Sequence, residues 1–192
     1  MAEPIRIQSS RIVVPPRGQQ ANIFELIMAD HRRIRRLSAA LDDMARCGGD
    51  SGWMLAHAWV RLASLLEAHT RAEEEICYLP MSGCRPHGPR DRRAAIADHD
   101  DIREAIKEAS LQRPGSALWW RAVRAVFAVK TGHLGREEHG LLADGLTGLA
   151  MTRRQELGRQ WCAFIAAWRL DTASPHWNDA ASAARAGRPR TR

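Results

Sequence analysis

Four of the eight histidines interrupt faces of apolar residues that repeat with the period of an α-helix. These are His31, His69, His99 and His133. Two are followed one helical turn later by a glutamate, giving the pairs His69–Glu73 and His133–Glu137. Residues four apart project from one face of a helix, so each pair can bind a common centre. Because a buried carboxylate without a partner is costly, these glutamates require a cation close by.

Each of these features, taken alone, has an ordinary structural explanation. A lone buried histidine is usually hydrogen-bonded within the core, and a lone His-x-x-x-Glu is more often a pair on a helix surface. Four histidines on inner faces, with two identical pairs, are difficult to obtain by accident and favour one metal site. The remaining histidines lie off the apolar faces or in loops, and we expect them to be solvated: His57, His87, His139 and His176.

Six candidate ligands that include only two carboxylates favour a dinuclear centre. We expect each ion to take two imidazoles and to share both carboxylates, with an oxo or hydroxo bridge and at least one open position. Imidazole together with carboxylate suits iron, whereas manganese and zinc fit this arrangement less well. A single zinc ion would use three or four of these ligands and leave a buried acid unexplained. The predicted cofactor is therefore a pair of bridged iron ions.

The elements that must position these residues are helices. Apolar residues recur at spacings of three and four, and no segment alternates with the period of two that a strand needs. The pattern predicts helices over 22–46, 51–80, 91–112, 116–143 and 153–170. Four long helices with short connections favour antiparallel neighbours, so the predicted fold is all-α. It is an up-down-up-down four-helix bundle with an additional C-terminal amphipathic helix, whose position on the bundle stays open.

The turns fall close to midway between successive histidines of the set. Equal distances up one helix and down the next, at about 1.5 Å per residue, bring all four imidazoles to a similar level. We expect an N-terminal tail over 1–20, the bundle over 21–145, the additional helix over 150–170 and a basic flexible tail over 171–192.

Composition narrows the partners and the location. The net charge of +7 comes mainly from arginines spread along the chain, without a recognition helix, so nucleic-acid binding is not expected. The chain has no continuous apolar run of membrane-spanning length and no apolar signal-peptide core near its N-terminus, so a cytoplasmic location is expected. The four cysteines lack a C-x-x-C spacing and are expected to be free thiols, and a Cys77–Cys84 bridge has no support.

Two further residues lie near the predicted centre. Lys130 is on the inner face one turn before His133, where it can extend to solvent or pair with an acid, and a role in supporting the ligands is the lesser alternative. Tyr78 follows Glu73, and its position predicts a flank of the site, with a hydrogen bond to a ligand as the lesser alternative.

The four histidine segments resemble the hemerythrin-like (HHE cation-binding) family, in its four-His, two-Glu variant H-HxxxE-H-HxxxE. The resemblance covers about residues 22–145. It implies that Glu73 and Glu137 bridge two irons held by the four histidines. The matching segments are MADHRRIRRL around His31, EAHTRAEEEICYLPM around His69 and Glu73, IADHDDI around His99, and TGHLGREEHGLL around His133 and Glu137.

The chain departs from the invertebrate oxygen carriers of that family at two positions. They have a second histidine four residues after the third-helix histidine, where this chain has Arg103, so reversible oxygen transport is not expected. Their fourth-helix acid comes five residues after its histidine, which is Glu138 here. Glu137 fits the H-x-x-x-E variant and is the predicted bridging ligand, with Glu138 supporting a ligand or on the surface.

The resemblance implies a non-haem diiron protein that reacts with small ligands such as O2, H2O2 or NO. The preferred reaction is hydrogen peroxide disproportionation, as in a catalase, or nitric oxide or oxygen chemistry. No separate acid or base is evident, so no catalytic residue is assigned. A sensing module for iron, oxygen or redox state, without turnover, is the alternative, and a metal-free bundle is a third. The protein is expected to be a monomer or homodimer, with a dry pocket lined by Trp59, Leu66, Trp119, Val123 and Phe127.

Overall fold

The computed structural model describes residues 22–47 and 52–172, with side chains described as far as Trp168. All regular structure in these ranges is helical. The elements are α1 (Ile23–Cys47), α2 (Gly52–Ala72), a π-helical segment (Glu73–Cys77), α3 (Tyr78–Ser82), α4 (Gly88–Ser110), α5 (Ala117–His139), α6 (Leu141–Gly148) and α7 (Met151–Thr172). None of the described helices combines the length and apolar character needed to cross a membrane.

The long helices pack as a bundle. Helix α1 packs on α2, α4 packs on α5, and α2 also contacts α4. The all-α bundle predicted from the sequence is therefore confirmed. Helix α7, whose position the sequence leaves open, lies against α1 and α2. The predicted tails over 1–20 and 171–192 fall almost entirely outside the described residues.

Two apolar clusters fill the bundle, and α1, α2 and α4 contribute to both, whereas α5 contributes to one cluster and α7 to the other. On α1, Ile34 belongs to one cluster and Ile27 to the other. On α4, Ile102 and Ala95 divide in the same way. The histidines of these two helices lie between such residues in sequence, so the polar centre is enclosed by apolar side chains at both ends.

Local signals fix the start of α5. The residue before it, Ser116, has an extended backbone, and its side chain accepts a hydrogen bond from Trp119 N at 3.1 Å. This is the usual arrangement of a helix N-cap, which satisfies one of the unpaired amides of the first turn. Gly115, just before it, has a φ of 84°, which favours glycine. The chain therefore turns at Pro114-Gly115, between the predicted helices over 91–112 and 116–143.

Two predicted helices differ from the observed ones. The second was predicted as one helix over 51–80. Its backbone hydrogen bonds change from the α to the π pattern after α2, in the π-helical segment before α3. The fourth was predicted to continue to 143, but α5 ends at His139 because Gly140 leaves the helical region, with φ −110° and ψ −104°. Leu141 and Leu142 are buried in α6 and continue the apolar pattern, which hides this break in the sequence.

Candidate metal centre

All six predicted site residues converge in the interior of the bundle. His31 comes from α1, His69 from α2, His99 from α4, and both His133 and Glu137 from α5. Glu73 is the first residue of the π-helical segment that follows α2. Each of the six side chains is at most 3% exposed. Six buried polar groups at one level require charge compensation from one another or from a bound cation.

The four imidazoles form two pairs. Nε2 of His31 lies 3.1 Å from Nε2 of His69, and Nε2 of His99 lies 3.1 Å from Nε2 of His133. This is about the separation of two neighbouring nitrogens that each lie ~2.1 Å from one ion. One pair therefore joins α1 to α2, and the other joins α4 to α5.

The two inner glutamates lie between the histidine pairs. Glu73 Oε1 is 3.0 Å from His69 Nε2, and its Oε2 is 3.3 Å from His99 Nε2, so each oxygen faces a different pair. Glu137 Oε2 is 3.3 Å from Nε2 of His31 and 3.6 Å from Nε2 of His133. Both carboxylates therefore have the position that a bridging ligand needs.

The donor set fits a cation. Glu73 Oε1 and both carboxylate oxygens of Glu137 are buried without a hydrogen bond from the described residues. Such atoms are costly unless a positive charge is close. Two groups of side chains have donor atoms near enough to hold an ion: His31, His69, Glu73 and Glu137 form one, and Glu73, His99 and His133 form the other.

Each histidine pair has one member whose ring is oriented by an outer glutamate. Glu138 Oε1 lies 2.7 Å from His31 Nδ1 and also accepts an ion pair from Arg35 at 2.8 Å. A carboxylate only accepts hydrogen bonds, so Nδ1 of His31 carries the proton and its Nε2 is directed inward toward the other candidate ligands. Glu138 is thus on the outer side of the centre, whereas Glu137 faces inward.

The same arrangement recurs on the other side. Glu74 Oε1 lies 2.7 Å from His99 Nδ1, and Arg103 donates to that oxygen at 2.9 Å. Glu138 was predicted to support a ligand or to lie on the surface, whereas Glu74 was missed by sequence reasoning. The signal was present, because each inner glutamate is followed by a second glutamate, and His31 and His99 are each followed four residues later by an arginine.

The other two histidines have different surroundings. His133 Nδ1 lies 3.4 Å from Oδ2 of Asp98, and Arg136 binds the other oxygen of this carboxylate, Oδ1, at 2.7 Å. His69 Nδ1 receives no hydrogen bond from the described residues, and its ring meets the edge of Trp161 of α7 at a centroid distance of 5.7 Å. Helix α7 therefore reaches the centre directly.

The charges of the cluster shift its pKa values in opposite directions. Burial lowers the pKa of His31, but the carboxylates of Glu137 and Glu73 outweigh it and raise the pKa to about 10. His99 is raised in the same way to about 9, against the effect of burial, by Glu73 and Glu74. Burial lowers the pKa of His133 to about 4. Protons therefore occupy part of this site at neutral pH, and a metal ion must displace them.

The two inner carboxylates also differ. Burial raises the pKa of Glu73, but the charge of His69 and the imidazoles beside it hold the pKa well below its usual range. Burial and the charge of Glu73 raise the pKa of Glu137. Glu137 is thus the carboxylate that gains most from a cation placed between the histidine pairs.

Tyr78 faces the centre: the preferred expectation that it flanks the site is wrong, and the lesser alternative, a hydrogen bond to a predicted ligand, is observed. It is fully buried, and its Oη lies 2.9 Å from His99 Nε2 and 3.3 Å from Glu73 Oε2. Its ring stacks on His99 at a centroid distance of 5.3 Å. In a regular helix a residue five positions after Glu73 would point elsewhere, but a π turn contains one more residue and brings Tyr78 round.

The remaining predictions concern surrounding residues. Lys130 is buried, and its Nζ donates to Thr131 Oγ1 at 3.4 Å and lies over the ring of Phe127. Burial, followed by the charge of Arg35, lowers the pKa of Lys130. The predicted pocket residues Trp59, Leu66, Trp119 and Val123 are buried, and Phe127 packs against the same cluster. His57, His87 and His139 are exposed, His176 lies outside the described residues, and the four cysteines are free.

Comparison with known proteins gives one match. The model of the hemerythrin HHE cation-binding domain matches residues 22–144. No curated protein matches the chain, and no solved structure matches it. The matched range contains α1, α2, α4 and α5, with all six inner residues. Because the match covers more than half of the sequence, the chain belongs to the hemerythrin HHE cation-binding domain family.

Proposed function

We propose that the protein binds two iron ions and reacts with small oxidants, by hydrogen peroxide disproportionation or by nitric oxide or oxygen chemistry. The observation that carries the proposal is the position of Glu73, whose two oxygens face different histidine pairs at 3.0 and 3.3 Å. A carboxylate so placed suits two ions better than one. The unbonded oxygens of Glu137 on the other side support the same arrangement.

In such a centre, some residues would orient the histidines and others would exclude water. Glu138 and Glu74 hold Nδ1 of His31 and His99, which keeps the Nε2 atoms directed inward. The apolar clusters at both ends exclude water, so charges inside interact strongly. A bound iron pair would supply the reversible change of oxidation state that peroxide disproportionation or nitric oxide chemistry needs. In this proposal the inner residues are ligands of the irons, and none is assigned as a separate acid or base.

The proposal is tested by metal content and by peroxide turnover. Freshly purified protein should contain about two irons per chain and should evolve oxygen from hydrogen peroxide. His133→Ala should reduce both, because His133 is the partner of His99 at 3.1 Å. His139→Ala is the matched control, since His139 is exposed on the same helix. Oxygen evolution that persists in the metal-free protein or in His133→Ala would contradict the catalytic proposal.

A second candidate function is a sensing module that reports the state of the centre through α7. Trp161 of α7 is buried and meets the ring of His69, while α7 lies beyond the residues that the family model matches. We infer that the chain divides into a metal-binding unit over 21–145 and an additional helix over 150–170. A change in the centre that moves His69 would then reach α7 through one contact.

Hydrogen exchange distinguishes the two candidates. A sensor should change amide protection in α7 when iron binds or is oxidised, and Trp161→Phe should weaken that change without altering iron content. An enzyme without this coupling should turn over peroxide while the protection of α7 stays constant. If the protein showed no peroxide turnover and no iron-dependent change in the amide protection of α7, both candidates would be contradicted.

A further inference from the structure

The two groups of candidate ligands are unequal. The group around the first histidine pair contains two imidazoles and two carboxylates, His31, His69, Glu73 and Glu137. The group around the second pair contains His99, His133 and Glu73 only. Glu137 Oε2 lies between the two pairs but nearer to the first, at 3.3 Å from His31 Nε2 and 3.6 Å from His133 Nε2, so this carboxylate is better placed for an ion of the first group.

Tyr78 lies where a further donor to the second group would be. Its Oη is 2.9 Å from Nε2 of His99 and 3.3 Å from Oε2 of Glu73, which are two donor atoms of the second group. These distances match the 3.1 Å that separates His99 Nε2 from His133 Nε2. The phenol oxygen is therefore spaced from the ligand atoms as those atoms are spaced from one another.

The backbone and the packing hold Tyr78 in this orientation. The π-helical segment ends at Cys77, and Tyr78 follows directly as the first residue of α3. Single π turns inside α-helices occur often at functional sites, because they carry a cost in helix geometry. The Tyr78 side chain is fully buried and its ring stacks on His99, so the phenol has no route to solvent as an alternative.

We propose that Tyr78 Oη is an additional protein ligand of the metal ion bound by Glu73, His99 and His133. The inference rests on the proposed diiron function and adds a residue to that site. On coordination the phenol O–H bond breaks, the oxygen donates an electron pair to the ion, and the proton is taken up by water that the incoming ion sheds. No electron is transferred. A hard anionic oxygen on one ion alone favours its oxidised form and makes the two irons inequivalent.

Tyr78→Phe tests the proposal, because it removes the oxygen and retains the ring that packs on His99. Iron content and the visible spectrum of the oxidised protein are the readouts, and neither requires turnover. The wild type should show a charge-transfer band from phenolate to ferric iron that Tyr78→Phe lacks. Tyr78→Phe should also bind its second iron at least tenfold more weakly in a chelator competition. Ser82→Ala is the matched control, since it removes another buried hydroxyl of α3.

A measurement on the wild type alone guards against a variant that does not fold. Resonance Raman excitation within the visible band should enhance ring vibrations of a coordinated phenolate, and the single tyrosine of the chain makes the assignment unique. If wild type and Tyr78→Phe bind two irons with the same spectrum and affinity, Tyr78 is not a ligand and the diiron proposal survives. A wild type that binds no iron overturns both proposals, and metal content separates these results.

Discussion

Glu138 Oε1 lies 2.7 Å from Nδ1 of His31, although the residue before it, Glu137, faces the opposite way into the centre. Two consecutive glutamates on one helix thus have different functions, one beside the Nε2 atoms and one on the outer nitrogen. The pair Glu73 and Glu74 repeats this division toward His99. The repeat indicates that the sequence specifies both the inner acids and the orientation of the histidines that accompany them.

The outer hydrogen bonds should govern metal affinity. Glu138→Gln and Glu74→Gln each weaken the acceptor for an Nδ1 proton without changing side-chain size. We expect each variant to lower metal affinity by about 10- to 100-fold while the fold is retained. A chelator competition measures this loss directly. Glu104→Gln is the control, because Glu104 is an exposed residue of α4 that pairs only loosely with Lys107 at 3.4 Å. If all three variants bound the metal with equal affinity, the outer glutamates would have no role in metal binding.

Glu137 should have opposite effects in the metal-free and the metal-loaded protein. Its pKa is raised by burial and by Glu73, and both its oxygens lack a hydrogen bond from the described residues. Burial and Glu73 outweigh the attraction of His31 for this carboxylate, so we expect Glu137→Gln to raise the free energy of unfolding of the metal-free protein by about 1 kcal/mol. The same variant loses a ligand, so iron content and the iron-dependent rise in Tm should fall.

Thermal unfolding in the presence of chelator and of excess ferrous iron measures both effects. Glu108→Gln, on an exposed position of α4, should change neither. The prediction is contradicted if Glu137→Gln is less stable than wild type without metal and is stabilised equally by iron. Glu137 would then make ordinary core contacts and would not bind a cation.

Much of the fold and of the site follows from one pattern. Apolar residues at helical spacing on both sides of His31 predict that it faces inward, and it is fully buried between Ile27 and Ile34. The same reasoning applies to Lys130, whose inner position is observed although its contacts are with Thr131 and Phe127. Periodicity therefore gives the face of a residue, because a core can be filled only from the apolar side of each helix.

Periodicity does not give local changes of helical winding. The π-helical segment shifts every later residue of that stretch by about one position, so a spacing argument based on four residues misplaces Tyr78. The break at Gly140 is likewise hidden, because Leu141 and Leu142 remain buried on the far side of it. Hydrogen bonds between helices, such as that from His99 to Glu74, depend on rotations that no single helix pattern contains.

Acidity should affect the metal-free and iron-bound proteins in opposite ways. Folding raises the pKa of His31 from 6.5 to about 10 and that of His99 to about 9. A histidine with a raised pKa stabilises the fold fully below its unfolded value, and this stabilisation is lost as pH rises through the folded value. The Tm of the metal-free protein should therefore fall between pH 7 and pH ~10.

Iron binding must displace these protons, so metal affinity and the iron-dependent gain in Tm should rise over the same pH range. Anaerobic melts with chelator and with ferrous iron at a series of pH values give both curves. His31→Gln should flatten the metal-free curve, whereas His87→Ala, at an exposed position, should leave it unchanged. A metal-free Tm that rises steadily with pH would mean that the two histidines are neutral in the folded protein.

Two glycines should respond to alanine in opposite directions. A Cβ at Gly88, where α4 begins, would lie 2.0 Å from the carbonyl oxygen of Ser82, a backbone atom that cannot move independently. Gly88→Ala should therefore cost about 3 kcal/mol or more and displace the helix that carries His99. A Cβ at Gly135 of α5 meets no atom within 4 Å. Gly135→Ala should stabilise the protein by up to about 1 kcal/mol, since alanine loses less backbone entropy in a helix.

Urea unfolding of the metal-free variants measures both changes, and iron content reports whether α4 has moved. Gly88→Ala should contain less iron than wild type, whereas Gly135→Ala should contain the same amount although it is only two residues from His133. Because both substitutions add the same methyl group, their difference depends only on local structure. If Gly88→Ala were as stable as wild type, the close approach of α3 to the start of α4 would not help to position His99.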